Sequence, residues 1–125
     1  MPTALVVDRD VLMRNIARTV LMQQGYEVLD AVDAREASTI CEFLDSTKID
    51  LLIVESGTDP KSGKAVAERV MQCCPAVKIL IISELTYTVI DRGQGLPAGF
   101  SFLQKPFTAL QLLSAIQNTL EPRIH

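Results

Sequence analysis

The sequence predicts an α/β fold, a five-stranded parallel sheet with helices against both faces. Short apolar runs alternate with segments of helical period, in five successive units over the 125 residues. The runs are apolar at consecutive positions, the pattern of strands buried on both faces rather than one. No linker or low-complexity tract interrupts them, so 1–125 reads as a single domain, long enough to bury its own core.

Each element has a local reason. Ala4–Val7 is a short apolar run that stops at Asp8. A helix is expected from Val11 to Gln24, with Leu12, Ile16 and Val20 four apart on one face and Gly25 as its stop. Tyr26–Ala31 is the second strand. Asp33, followed by Glu36 at capping-box spacing, opens a helix to about Asp45. Ile49–Val54 is the third strand, and the turn-forming residues from Ser56 to Pro60 follow it. A helix from Ser62 to Cys73 is stopped by Pro75, and Val77–Ile82 is the fourth strand. A weak helix is expected over Leu85–Asp91, broken by Gly93, Gly95 and Pro97. Phe100–Leu103 is the fifth strand, and Thr108 caps a last helix to Leu120, with Leu112, Leu113 and Ile116 inward.

Composition narrows the function. Apolar residues make up 48% and charged residues 22%, as in ordinary globular domains. A net charge of −3 gives no basic footprint, so neither nucleic acid nor an anionic membrane is an expected partner. There is no run long enough to span a bilayer and no secretory pattern, and the expected compartment is the cytoplasm. The only histidine is His125, which argues against histidine-based catalysis, most zinc sites and histidine phosphotransfer. Cys41, Cys73 and Cys74 form no CxxC motif, and the adjacent pair would strain to bridge, so all three are expected as reduced thiols packed like small apolar side chains.

In parallel α/β sheets a site forms beyond the carboxyl ends of the strands, where the strand order reverses. The residues there are Asp8, Arg9 and Asp10 after the first strand and Glu55 after the third. Ser83 and Glu84 follow the fourth, and Lys105-Pro106 the fifth. The segments VVDRD, IDLLIVE, ILIISE and FLQKPF, in that order, resemble a response-regulator receiver domain across essentially the whole chain. The resemblance implies a flavodoxin-like (βα)5 three-layer sandwich with strand order 2-1-3-4-5, and a signalling module rather than an enzyme. It further implies an acidic pair that holds Mg²⁺, an aspartate that takes phosphate from a histidine kinase, and a hydroxyl and a lysine that contact the phosphoryl group.

Carried over by position, Asp8 matches the first acidic residue, Ser83 the hydroxyl, Lys105 the lysine before a cis-proline, and Phe102 the switch aromatic. Three positions depart from the pattern. Arg9 stands in place of the second acidic residue, Glu55 in place of the phosphoacceptor aspartate, and Glu84 in place of a small residue. Asp8 and Glu55 facing Arg9 and Lys105 sum to zero charge, where the family pattern leaves a negative site for a divalent cation. No metal or other cofactor is therefore expected, Asp8 being only a weak candidate ligand, and an Arg9 salt bridge to Glu55 or Asp8 is a candidate replacement for the ion. Glu55 reaches about 1.5 Å further than aspartate, but its single charge makes any mimicry of phosphate partial.

Plainer readings stand beside these. Lys105 could be a solvated loop lysine, Arg9 a surface arginine and Phe102 a core aromatic; Asp8 and Asp10 could cap the first helix. Ser56, Thr58 and Asp59 suit a turn better than an alternative acceptor. The favoured function is a receiver-like module of a two-component system that is independent of phosphorylation. The alternative is a phosphorylatable receiver. A nucleotide- or flavin-binding reading lacks the phosphate loop it needs after the first strand. Expected partners are a histidine kinase, an effector domain or another receiver, with a homodimer left open.

Overall fold

The structure is a computed structural model that describes residues 1–43, 48–56, 60–85 and 99–120. The elements among them are β1 (Thr3–Val7), α1 (Val11–Gln23), β2 (Glu27–Ala31), α2 (Ala34–Phe43), β3 (Leu51–Glu55), α3 (Pro60–Cys73), β4 (Lys78–Ser83), β5 (Phe100–Gln104) and α4 (Ala109–Leu120). The strands form one parallel sheet in the order β2-β1-β3-β4-β5. The expected helix over Leu85–Asp91 lies, apart from Leu85, outside the described residues.

Side-chain parity divides the core into two layers. Leu5, Val7, Leu52, Val54, Ile79 and Ile81 point to the face packed by α2 and α3, with Ala37, Val66, Ala67 and Val70. Ala4, Val6, Leu51, Ile53, Leu80 and Ile82 point to the other face, against Met13, Ala17 and Leu21 of α1 and Leu112 and Ile116 of α4. Successive strand residues alternate faces, so a sheet covered on both sides needs runs that are apolar at every position.

Local chemistry sets the helix ends. The Asp10 carboxylate accepts the Leu12 N–H at 2.9 Å, and Gly25, at φ +86°, ends the turn after α1 in a conformation that side chains avoid. Asp33 accepts the Glu36 N–H at 3.0 Å while Glu36 reaches back to the Val32 N–H at 2.9 Å. Thr108 and Gln111 exchange side-chain-to-backbone bonds of 3.1 and 2.8 Å at the start of α4.

Two expectations are corrected. The buried stripe of α1 is Met13, Ala17, Val20 and Leu21, whereas Leu12 and Ile16 face outward. Both stripes are apolar, and the 13, 17, 20, 21 spacing is the fuller helical template. The thiols also part company: Cys41 and Cys74 are buried, but Cys73 is exposed. Leu113, expected inward with Leu112 and Ile116, is half-buried and packs against the same core layer.

Candidate functional site

The parallel sheet brings Asp8, Glu55, Ser83 and Lys105 to one edge. Val7 pairs with Val54 across β1 and β3, Glu55 with Ile82, and Ser83 with Gln104, so the residues at the strand ends sit side by side. The Lys105–Pro106 peptide is cis.

Lys105 is the centre of the cluster. Its ammonium donates to Glu55 Oε2 at 2.7 Å and lies 3.5 Å from Asp8 Oδ2. Asp8 is buried, and its Oδ1 accepts the Asp10 N–H at 2.8 Å. Arg9 is exposed, and among the described residues the ion pairs of Asp8 and Glu55 are both with Lys105. The bridge is therefore made by Lys105 and not by Arg9. Arg9 lies beyond the end of β1, in the turn before α1, where its side chain is exposed.

Electrostatics follow from this packing. Burial, reinforced by the neighbouring Glu55, raises Asp8 to about 6. Glu55 moves the other way: the hydrogen bond with Asp8 lowers it against the opposing effect of burial, and Lys105 lowers it further. For Lys105, burial alone would lower the ammonium, but the hydrogen bond to Glu55 and the charge of Asp8 outweigh it and raise the value. Two carboxyl groups and one ammonium thus form a single coupled unit in which Glu55 is the firm anion and Asp8 the group that takes up a proton.

Ser83 is fully buried, and its hydroxyl accepts the Leu85 N–H at 3.0 Å. Phe102, paired with Ile81 in the sheet, is half-buried against the core layer beneath α2 and α3. Glu84 is exposed, and its carbonyl accepts from Gln104 at 3.3 Å. Ser56 is buried beside Glu55, while Thr58 and Asp59 lie outside the described residues.

Two contributors had no reading in the sequence. Arg14, one turn into α1, donates to the Asp8 carbonyl at 2.6 Å and pairs with Asp30 at 3.3 Å, which ties the end of β1 to β2. Gly63 lets α3 approach the strand end: a Cβ there would come within 2.7 Å of the Ser56 Cβ. The only signal for either was position, a basic residue four after the helix cap and a glycine early in a helix.

Comparison with known proteins agrees with this architecture. Residues 4–117 match the model of the response regulator receiver domain. The chain is 23% identical over 117 residues to the uncharacterized transcriptional regulatory protein YbdJ of Bacillus subtilis (strain 168), covering 94% of this chain and 50% of that protein. It is 26% identical over 119 residues to the sensor kinase CckA of Brucella abortus (strain 2308), covering 95% of this chain and 12% of that one. The chain thus spans half or less of either relative. A response regulator receiver protein from Sinorhizobium medicae superimposes with a TM-score of 0.78 at 23% identity, covering 98% of this chain and 97% of the other. With its sheet order, strand-end cluster and family match in agreement, the chain belongs to the response regulator receiver domain family.

Proposed function

We propose that this domain is a two-component signalling module that works by protein contact, without aspartyl phosphate and without Mg²⁺. One observation carries the reading: Lys105 already neutralises Glu55 at 2.7 Å and faces Asp8 at 3.5 Å. Mg²⁺ is held through carboxylates and phosphate oxygens, yet here the carboxylates are engaged by an ammonium and Arg9 replaces a donor. The residues do not fit the ion. Phosphoryl transfer needs such charge neutralisation at the transferring group, so Glu55 is a structural anion and no catalytic role is assigned.

Contact with a partner has support near the same edge. Val11 and Leu12 of α1 and Leu110 of α4 are large exposed apolar side chains, and Ile16 is partly so. Asp10, Leu12, Ile16, Glu84, Pro106 and Phe107 line a cleft of about 610 Å³ beside Lys105. The partner class is a cytoplasmic signalling protein: a histidine kinase, an effector domain, another receiver or a second copy of this chain. Among the described residues no helix is long and apolar enough to cross a membrane.

The test is intact-mass spectrometry after incubation with acetyl phosphate and Mg²⁺. The natural sequence should stay unmodified, whereas Arg9→Asp with Glu55→Asp should gain a labile phosphate. A phosphate on the natural protein would transfer the reading to a phosphorylatable receiver.

A further inference from the structure

A pair of thiols lies away from the strand-end site, where α3 ends. Cys73, the last residue of α3, is exposed, and Cys74, which follows it, is buried. Their sulfurs lie 3.6 Å apart. The Cys73 thiol donates to the Val70 carbonyl at 3.3 Å, and the Cys74 sulfur accepts the Ile49 N–H at 3.4 Å. One sulfur therefore meets solvent while the other is held in place behind it.

That separation selects what can join the pair. A disulfide needs the sulfurs at about 2.05 Å, well inside the 3.6 Å observed. A single atom bonded to both at about 2.3 Å, the length of a metal–thiolate bond, spans 3.6 Å with an angle of about 100°. Soft ions that take two thiolates in a line need about 4.6 Å between the sulfurs on the same bond length. Zinc has a suitable angle but takes four donors. Among the described residues, no group of three or more His, Cys, Asp or Glu side chains is placed to hold an ion. Trivalent arsenic fits: it is pyramidal, bonds strongly to sulfur and, when it carries one carbon substituent, has two positions left to fill.

We propose that Cys73 and Cys74 form a dithiol site for trivalent arsenicals that carry one carbon substituent and two exchangeable oxygens. The exposed Cys73 reacts first: its S–As bond forms, an As–O bond breaks, and the thiol proton leaves with the hydroxide as water. Cys74 then repeats the step within the same molecule, where the second bond forms at high effective concentration. Two thiols and one R–As(OH)2 give one cyclic adduct and two waters, and arsenic stays trivalent throughout. Burial raises both thiols, so each enters protonated and supplies the proton that its departing hydroxide needs. Neither backbone group is stranded by the change. The Cys74 sulfur keeps a lone pair for the Ile49 N–H, and the Val70 carbonyl, on losing the Cys73 thiol, still accepts the Cys74 N–H at 2.8 Å.

The test mixes the whole protein with one equivalent of phenylarsine oxide, whose hydrate carries the two exchangeable hydroxyls. Intact mass should rise by one phenylarsenic less two hydrogens, and free thiols should fall from three to one. A peptide map should place the arsenic on the segment holding Cys73 and Cys74. Excess mercaptoethanol should leave the adduct in place, whereas the dithiol 2,3-dimercaptopropanol should remove it. Cys73→Ser, at an exposed position, should bind several-fold more weakly, and Cys41→Ala should bind as the natural chain does. The guanidinium-unfolded chain, in which the two sulfurs are no longer held together, should also bind several-fold more weakly. The natural protein, folded and unfolded, decides the matter even if a variant fails to fold. Arsenic bonded to Cys41, displacement by the monothiol, equal binding by Cys73→Ser or by the unfolded chain, or three intact thiols would each overturn the proposal.

Discussion

Lys105 from the end of β5 holds Glu55 from the end of β3 at 2.7 Å, across the intervening strand β4. The same ammonium faces Asp8 at 3.5 Å, so one side chain joins the ends of three strands. A pair of carboxyl groups otherwise in conflict is stabilised by the protein's own cation.

Millimolar Mg²⁺ should leave the melting temperature unchanged. An ion at a hundredfold excess over its Kd would stabilise the fold by about 2.7 kcal/mol, a shift easily seen by differential scanning fluorimetry. Arg9→Asp with Glu55→Asp should acquire such a shift. A clear rise for the natural sequence would show that Lys105 yields the carboxylates to the metal.

Removing the cation should leave the two carboxyl groups to repel one another. Lys105→Met is expected to destabilise the domain by about 1–3 kcal/mol, the cost of a buried polar partner lost. It should also push Asp8 still higher, because Lys105 now lowers it. Urea unfolding and a carbon-detected carboxyl titration read the two effects separately.

Glu55→Gln should act on Asp8 in the opposite direction. The Glu55 hydrogen bond and charge both help to raise Asp8 to about 6. With a neutral amide in place, Asp8 should titrate closer to its ordinary 3.8. An unchanged Asp8 titration would mean that burial alone sets its value.

The pH dependence of stability has a definite sign. Asp8 binds its proton more tightly in the folded state, at about 6 against 3.8. Its contribution to stability is therefore fully present below about 3.8 and is lost as pH rises to about 6. Glu55, lowered from 4.5, contributes stability above that value that is lost as pH falls through its folded value. Asp8→Asn keeps an oxygen for the Asp10 N–H and should abolish the loss between about pH 4 and 6. At pH 7 it should be more stable than the natural protein by about 1–3 kcal/mol, since a tenfold difference in proton affinity is worth about 1.4 kcal/mol. Chemical denaturation across that range provides the check.

Gly63→Ala should destabilise by about 1–3 kcal/mol, the usual range for overpacking. The new Cβ would meet Ser56, whose backbone N–H is held to the Ile82 carbonyl at 2.8 Å and gives little room. Ser56→Gly in the same background should recover part of the loss, as measured by thermal melts.

The sequence by itself determined the layers and the strand ends. Runs such as Leu51–Val54 and Ile79–Ile82 are apolar at every position, and only a sheet covered on both faces can bury both parities. Asp8, Glu55, Ser83 and Lys105 end such runs or follow them closely, so their shared edge was legible before any coordinates. Only the tertiary structure decided which cation serves the carboxylates. Arg9 and Lys105 carry the same charge, but the turn after β1 leaves Arg9 exposed, while the turn after β5 carries Lys105 in. The α1 stripe was undecided for a related reason, because both Leu12/Ile16 and Met13/Ala17 are apolar and only the sheet selects one. Gly63 against Ser56 is a contact between elements, set by how α3 settles on the sheet, and no local pattern encodes that distance.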